Sequence, residues 1–182
     1  YRVHAYTSPH LVRFNERIVL EGREIEDAYL NTLLDRIGPV VQSVPVTFFE
    51  ATTALAFLAF AEHPAEVVLL ETGLGGRLDA TNLVPAPCAT VLTPIDEDHK
   101  EFLGETIAQI AYEKAGILKS EVPCFSGEQQ PQADEVIRTV AREKNLPLYA
   151  YGREWSYAVN GEEILVECEA DRWMLPRPSL VG

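Results

Sequence analysis

The sequence alternates between segments with helical periodicity and short, wholly apolar segments. Helical spacing predicts four helices, at residues 24–37, 49–62, 104–118 and 131–144. Apolar segments of strand length lie between or after them, at residues 66–71, 89–93, 122–125 and 146–151. Because strands that alternate with helices form crossover units, the pattern predicts an α/β fold with a mostly parallel sheet covered by helices on both faces.

The two ends of the sequence differ from this pattern. Near the carboxyl end, the dipeptide Asn160-Gly161 separates two alternating segments, which predicts a β-hairpin. The chain starts at Tyr1 and not at a methionine, and its last residues, PRPSLVG, have the composition of a linker. We therefore expect it to be a fragment of a longer protein.

Composition excludes several classes of protein. The net charge of −13 argues against a nucleic-acid partner, which requires a broad basic surface. No apolar run is long enough to span a membrane. The three cysteines, Cys88, Cys124 and Cys168, are far apart and form no CxxC pair, so neither a disulfide framework nor a zinc site is indicated. A soluble protein of the reducing cytoplasm is the expectation.

Acidic residues follow two of the predicted strands. Glu71 comes directly after the apolar residues 67–70. The strand ATVLTPI is followed directly by the cluster of Asp96, Glu97, Asp98 and His99. Ligands of parallel sheets bind at the carboxyl ends of the strands. Glu71 could close a loop, or it could be a buried carboxylate that binds Mg²⁺. His99 alone would more often be structural, but beside Asp96 and Asp98 it becomes a candidate ligand.

The helix predicted near residue 110 places a lysine on its apolar stripe. Ile107, Ile110, Ala111 and Lys114 have the spacing of a single helical face. Lys114 could direct its amine to water while its stem packs. Alternatively, it could lie near bound anions or be a reactive amine. The pattern alone does not choose between these possibilities.

Two further segments carry modest signals. YTSPHLVRFNERI, which begins at Tyr6, combines Ser8 with a proline turn and basic residues, and it could equally be an ordinary loop and exposed strand. TFFEATTALAF begins with Thr47 and includes Phe49, before a very apolar helix. Those aromatic residues could belong to the core or form the wall of a ring-binding pocket.

Taken together, five motifs resemble the central region of folylpolyglutamate synthases and dihydrofolate synthases of the Mur ligase superfamily. They are, in order, YTSPHLVRFNERI, TFFEATTALAF, LLETGLGGRLDATN, PIDEDHKEFLGETI and AYEKAGILK. The resemblance is close over residues 1–127 and looser beyond. It implies that residues 1–182 are part of an ATP-dependent ligase central domain of the P-loop NTPase type.

The resemblance implies an acid–amino-acid ligase that joins L-glutamate to folate or to dihydropteroate. ATP would phosphorylate the acceptor carboxylate, and the amine would then displace phosphate. Ser8, Glu71 and His99 match the family's metal ligands at two Mg²⁺ sites beside ATP. Lys114 matches the lysine that carries a carbamate, and with His99 it is assigned to catalysis. We expect a monomer.

The same resemblance assigns a pterin-binding side to the site. Thr47 and Phe49 match one wall of the pterin pocket, and Asp79 and Ala80 match the other. In this interpretation the glycines after Glu71 let the loop turn tightly, so that Asp79 and Ala80 reach the pterin. A flat heterocycle requires an aromatic face and a few convergent polar groups, which agrees with this residue set.

Two departures from the family pattern matter. The chain contains no GTNGKGS-like phosphate loop, which lies upstream of the SPH motif in the family, and no C-terminal glutamate-ligase domain. The fragment alone is therefore expected to be inactive. Two alternatives stay open: a Mur-type ligase that acts on another carboxylate, and a non-catalytic module that binds folate or metal.

Overall fold

The computed structural model describes residues 1–169 and 171–178. The chain divides into two compact units, Tyr1–Val84 and Pro85–Gly182. Among the described residues, no helix combines the length and apolar character needed to cross a membrane.

The first unit is a four-stranded sheet with two helices. Its elements are β1 (Val3–Tyr6), β2 (Ile18–Leu20), β3 (Arg23–Glu24), α1 (Asp27–Ser43), α2 (Phe48–Glu62) and β4 (Val67–Leu70). The strand order is β3-β2-β1-β4. β1 and β4 are parallel, whereas β2 is antiparallel to both of its neighbours. Tyr6, Ile18, Leu33 and Leu55 are buried at the centre of this unit's core.

The strand β4 is exposed, which contradicts the prediction of a strand covered on both faces. Val67 is 37% exposed, Val68 43% and Leu69 57%. In the described sheet β4 is the edge strand and pairs only with β1. An apolar sequence identifies a strand, but only the sheet topology decides whether that strand is central or lies at an edge.

Both helices of this unit begin close to the predicted positions. At the start of α2, Thr47 and Glu50 form a capping box, in which each side chain accepts a hydrogen bond from the other residue's backbone. α1 extends to Ser43, through Pro39, although the prediction ended it at residue 37. Helices often end at a Gly-Pro pair, but such a pair does not prevent the helix from continuing.

The second unit contains a parallel sheet with helices. Its elements are β5 (Thr90–Leu92), α3 (Lys100–Leu103), α4 (Ile107–Lys114), β6 (Cys124–Ser126), α5 (Pro131–Glu143) and β7 (Leu148–Ala150). The strand order is β5-β6-β7, and both pairs are parallel. Ile110, Leu118, Cys124 and Ile137 are fully buried in the core.

Three antiparallel strands follow in this unit. β8 (Trp155–Asn160) and β9 (Glu163–Cys168) form the predicted hairpin, and β10 (Asp171–Pro176) pairs with β9. The prediction missed β10, whose last residue, Pro176, begins the PRPSLVG segment. Residues 179–182 of that segment lie outside the described residues. The predicted fold class, an α/β protein with a C-terminal hairpin, is confirmed.

Candidate active site

Ser8 and Glu71 are neighbours at the carboxyl ends of two parallel strands. Tyr6 of β1 lies opposite Leu70 of β4, so the chain leaves both strands at the same edge. The backbone N–H of Glu71 donates to the Tyr6 carbonyl at 2.9 Å. The Glu71 Oε2 atom accepts a hydrogen bond of 2.6 Å from the Ser8 backbone N–H. Two of the three predicted metal ligands therefore lie side by side.

The Glu71 side chain is not buried, contrary to the sequence-based expectation. Glu71 is exposed, because it follows an edge strand. A desolvation cost that a metal ion relieves therefore does not apply here. What supports Glu71 as a ligand is its donor chemistry, since carboxylate oxygens are typical Mg²⁺ ligands and those of Glu71 are accessible to a substrate complex.

Asp79 fastens the glycine loop that follows Glu71. Its Oδ2 accepts hydrogen bonds from the backbone N–H groups of Gly73, at 3.0 Å, and Leu74, at 2.9 Å. Its Oδ1 accepts from the Thr81 backbone N–H at 2.9 Å and from the Thr81 hydroxyl at 2.6 Å. Both carboxylate oxygens thus hold the loop closed. Sequence reasoning missed this role, although an Asp two residues before a Thr is a recognisable local turn signal.

Phe49 packs against the same glycine loop. A Cβ atom added at Gly73 would lie 2.3 Å from Cζ of the Phe49 ring, so only glycine permits this close approach. The Phe49 ring also lies 5.9 Å from the Tyr6 ring, centroid to centroid. Thr47 is exposed one residue before α2 and is held by Glu50.

Ala80, the last of the predicted pterin-side residues, directly follows Asp79 in the chain. Ala80 begins a 3-10 turn, Ala80–Leu83, which contacts α2. Asp79 and Ala80 are half-buried. The first unit therefore gathers the four predicted pterin-side residues on two contacting segments, the start of α2 and the loop after β4.

The segment after Ser8 is organised by Glu16, which sequence reasoning did not single out. The Glu16 carboxylate accepts hydrogen bonds from the backbone N–H groups of Leu11, Val12 and Arg13, at 2.7, 2.9 and 2.6 Å. The hydrogen bonds from Leu11, Arg13 and Val12 lower the pKa of Glu16. The sequence offered no capping-box signal for this role, because Arg13, three residues before Glu16, has no side-chain acceptor.

His99 follows β5 in the second unit, as predicted. It has a left-handed backbone conformation, with φ 52°, and immediately precedes α3. Asp98 Oδ1 accepts a 2.8 Å hydrogen bond from the His99 backbone N–H. Asp98 Oδ2 lies 3.4 Å from His99 Nε2, and the imidazole is half-exposed. Asp98 thus contacts both the backbone and the ring of His99.

Lys114 is the last residue of α4. Ile107, Ile110 and Ala111 on the same helix are buried, and Lys114 is half-buried. The predicted face is therefore correct. The helix continues into a 3-10 turn, Ala115–Ile117.

The donor set suits magnesium only if a substrate completes it. Among residues 1–169 and 171–178, no three His, Cys, Asp or Glu side chains are grouped closely enough to hold a metal ion. Mg²⁺ commonly uses one or two protein carboxylates and takes its other ligands from phosphates and water. The exposed Glu71 carboxylate beside Ser8 fits that mode of binding. Ser8 and Glu71 belong to the first unit and His99 to the second, so their convergence stays a prediction.

Solved structures define the class of protein first. The chain is similar to E. coli FolC in complex with DHPP and ADP, with a TM-score of 0.89 and 38% identity, over 98% of this chain and 42% of that one. It is also similar to a bifunctional folylpolyglutamate synthase/dihydrofolate synthase with Mn, AMPPNP and L-glutamate bound, with a TM-score of 0.84 and 34% identity, over 94% and 41%. The fold is therefore that of a Mur-ligase-like α/β protein.

Curated relatives define the family. The chain is 41% identical over 163 residues to the dihydrofolate synthase/folylpolyglutamate synthase of Escherichia coli, and 44% identical over 154 residues to that of Bacillus subtilis. These matches cover 90% and 81% of this chain but only 38% and 36% of the relatives. No protein-family model matches the chain. The chain belongs to the dihydrofolate synthase/folylpolyglutamate synthase family and spans less than two fifths of the length of these relatives.

Proposed function

We propose that the protein containing this chain is an ATP-dependent ligase that joins L-glutamate to folate, to dihydropteroate, or to both. The observation that carries the proposal is the hydrogen-bonded pair of Ser8 and Glu71 at the shared edge of β1 and β4. Both residues lie in the motifs that resemble the family's metal-binding segments. The family relationship supports glutamate ligation, and the acceptor is the part that requires an assay.

The ligands of related structures support the proposed substrates. One similar structure, E. coli FolC, contains DHPP and ADP, and another contains Mn, AMPPNP and L-glutamate. By analogy, this protein would use ATP, a pterin-containing acceptor and L-glutamate. Two Mg²⁺ ions would neutralise the charge of the ATP phosphates and of the anionic acceptor, which a chain with a net charge of −13 could not otherwise hold together.

The proposed reaction has two steps. The γ-phosphoryl group of ATP is transferred to a carboxylate oxygen of the acceptor, and ADP leaves. The amine of L-glutamate then attacks the acyl carbon, an amide bond forms, inorganic phosphate leaves and the amine nitrogen loses a proton. Activation is needed because a carboxylate is a poor electrophile, whereas an acyl phosphate has a good leaving group.

Ser8, Glu71 and His99 are proposed to bind the metal on the nucleotide side. The Ser8 backbone N–H holds one oxygen of Glu71 at 2.6 Å, which fixes the direction of this carboxylate before a ligand arrives. His99 is held by Asp98 in the loop between β5 and α3. Lys114 is proposed to be carbamylated and, with His99, to act in catalysis. As an anion it would form charge-assisted contacts within the site.

Thr47, Phe49, Asp79 and Ala80 are proposed to receive the pterin. The half-buried Phe49 ring offers an apolar flat surface, and its position is fixed by Gly73 and Tyr6. Asp79 uses both oxygens to close the glycine loop, so its first contribution would be to shape this wall. These four hydrogen bonds occupy the roughly four acceptor positions of a carboxylate, so a pterin donor would have to replace one of them to bind Asp79 directly.

The test is an assay of the full-length protein with ATP, Mg²⁺, L-glutamate and each candidate acceptor in turn. We expect ADP release that depends on dihydropteroate, on a reduced folate, or on both. Turnover only with a carboxylate that lacks a pterin would favour another Mur-type ligase. Binding of folate without any ADP release would favour a non-catalytic module.

A further inference from the structure

The side chain of Gln129 fastens the start of the loop that leaves β5 toward His99. Its Oε1 accepts a hydrogen bond of 3.0 Å from the Ile95 backbone N–H. Its Nε2 donates to the Thr93 carbonyl at 2.9 Å and to the Ser126 hydroxyl at 3.3 Å. Gln129 thus joins the exit of β5 to the exit of the neighbouring strand, β6.

The sequence of the loop explains why a side chain is required there. The paired strands end at Leu92 and Ser126, and the last backbone bond between them runs from Gly127 N–H to the Leu92 carbonyl at 2.8 Å. The next residues include Pro94, which has no N–H to donate. On one side of it, the Ile95 N–H still requires a partner, since Ile95 is buried. On the other side, the exposed Thr93 carbonyl is available as an acceptor.

One glutamine amide pairs with both of these backbone groups. A primary amide carries an acceptor and a donor in one plane, as a backbone peptide does. Gln129 therefore takes the place of one residue of a paired strand and continues the sheet past Pro94. Gly127 lies close by, because a Cβ atom there would be 3.2 Å from Cδ of Pro94. This arrangement leaves the loop little freedom to shift.

The constraint extends along the loop toward His99. Gln130 Nε2 donates to Asp96 Oδ1 at 3.2 Å, and the same oxygen accepts from the Glu97 backbone N–H at 2.8 Å. Both glutamines immediately precede Pro131, the first residue of α5, whose inner face is buried in the core. The loop is therefore fixed against a rigid helix up to Asp96, three residues before His99.

We infer that Gln129 is a positioning residue that sets the location of His99 at the metal–nucleotide site. The inference rests on the proposed function, which makes His99 a metal ligand. Gln129 does not touch the metal or substrate in this assignment. It acts through the backbone of residues 93–96, and its loss would lower metal affinity because His99 would no longer be held in one place.

The test compares Gln129→Met with Gln132→Met in the full-length protein. Methionine keeps the length of the side chain and removes all three hydrogen bonds, and Gln132 is an exposed residue in the first turn of the same helix. We expect Gln129→Met to raise the KM for ATP at limiting Mg²⁺ by about tenfold, with a smaller change in kcat. Excess Mg²⁺ should restore most of the loss. Gln132→Met should behave as the unchanged protein.

A second readout does not depend on turnover. Mn²⁺ with a non-hydrolysable ATP analogue should broaden the imidazole NMR signals of His99, and Gln129→Met should shift that titration to about tenfold higher Mn²⁺. Gln129→Glu keeps an acceptor for Ile95 N–H and loses the donor to Thr93. If Gln129→Met does not fold, Gln129→Glu is the milder substitution to use. We expect it also to shift the titration to higher Mn²⁺.

The outcomes distinguish a failure of the proposed metal site at His99 from a failure of the positioning role of Gln129. If His99 in the unchanged protein is not broadened by Mn²⁺ and His99→Ala leaves the KM for ATP unaltered, the proposed metal site itself is wrong. If the unchanged protein shows both effects but Gln129→Met and Gln129→Glu keep its Mn²⁺ midpoint and KM, the positioning role is overturned. A lower melting temperature without either shift would likewise mark Gln129 as merely structural.

Discussion

Glu66 and Glu71 flank β4 and make equivalent local contacts. Glu66 Oε2 accepts a hydrogen bond from the Arg2 backbone N–H at 2.8 Å, and Glu71 Oε2 accepts one from the Ser8 backbone N–H at 2.6 Å. Glu66 lies at the amino end of the strand, away from the carboxyl-end edge where ligands bind. Comparing substitutions of Glu66 and Glu71 therefore distinguishes a structural contribution of such a carboxylate from a functional one.

We predict that Glu71→Gln in the full-length protein lowers kcat/KM by at least about 100-fold. Glutamine can still accept from Ser8 N–H, so the fold should be kept while the negative charge is lost. Glu66→Gln should leave steady-state kinetics unchanged. Equal, small effects of the two substitutions would contradict the assignment of Glu71 to the metal.

The proposed carbamylation of Lys114 leads to a prediction about the dependence of turnover on CO₂. A neutral amine would react with CO₂ to give a carbamate, and an anion at this position would be compatible with the two Mg²⁺ ions proposed above. We expect turnover of the full-length protein to fall when CO₂ and bicarbonate are removed and to return when bicarbonate is added. Lys114→Ala should lose more than about tenfold in kcat/KM, or about 1.4 kcal/mol.

The control for Lys114 is Lys119→Ala, a lysine beyond the turn that ends this helix. This variant should keep both its turnover and its dependence on bicarbonate. If CO₂ removal has no effect and Lys114→Ala stays within about tenfold of the unchanged protein, Lys114 is an ordinary amine.

At the scale of elements, Phe49 and Gly73 connect the start of α2 to the loop after β4. A Cβ atom at Gly73 would lie within 2.7 Å of three atoms of the Phe49 ring. Gly73→Ala should therefore displace the ring and lower the free energy of unfolding by about 1–3 kcal/mol. It should also raise the KM for the pterin acceptor more than the KM for ATP, because the ring belongs to the proposed pterin wall.

A double-mutant cycle identifies the cause of this effect. In Gly73→Ala with Phe49→Ala, the clash no longer exists, so the cost of Gly73→Ala should shrink by about 0.5–3 kcal/mol relative to its cost alone. Urea denaturation of the four proteins measures it. Additive losses would show that the ring and the glycine do not constrain each other.

The loop after Ser8 should respond to acid through Glu16. The pKa of this carboxyl group is lowered, first by the hydrogen bond from Leu11 N–H. Its stabilising contribution is therefore complete above the ordinary carboxyl pKa of about 4.3 and is lost as the pH falls through the lowered value. The NMR signals of the Leu11, Val12 and Arg13 amides should shift together in that acidic range.

Glu16→Gln provides the matched variant for this loop. Its amides should already differ from those of the unchanged protein at neutral pH, since an amide oxygen is a weaker acceptor than a carboxylate. It should also show no further concerted transition in acid. Amide signals of the unchanged protein that stay constant through the same range would contradict the role of Glu16.

At the scale of the whole molecule, the chain matches less than two fifths of its curated relatives, and its 182 residues contain no GxxxxGK[ST] phosphate loop. Phosphoryl transfer depends mainly on groups that position the phosphates and stabilise their charge. We therefore predict that the 182-residue chain alone releases no ADP above background with Mg²⁺, ATP, folate and L-glutamate. The Escherichia coli relative, assayed in parallel, is the positive control. ADP release by the isolated chain that is abolished by Glu71→Gln would contradict the prediction.

Local sequence patterns determined much of the fold. Helical periodicity identified α2 and α5 within one residue, and Asn160-Gly161 identified the hairpin of β8 and β9. These features were predictable because each depends on residues that are close together in the chain. β1 was missed because its four residues, VHAY, are neither wholly apolar nor numerous enough to show a period, and β10 because its residues, DRWMLP, do not alternate between apolar and polar.

The sequence by itself also determined the family, through five motifs in a fixed order, and the positions of Glu71 directly after β4 and of His99 in the loop that follows β5. Only the tertiary structure decided that β4 is an exposed edge, that Ser8 holds Glu71 and that Gln129 bridges the gap left by Pro94. These contacts join residues 63 positions apart, for Ser8 and Glu71, and 34 apart, for Ile95 and Gln129. A local pattern carries no record of such partners, because a hydrogen bond depends on distance in space, which only the folded chain defines.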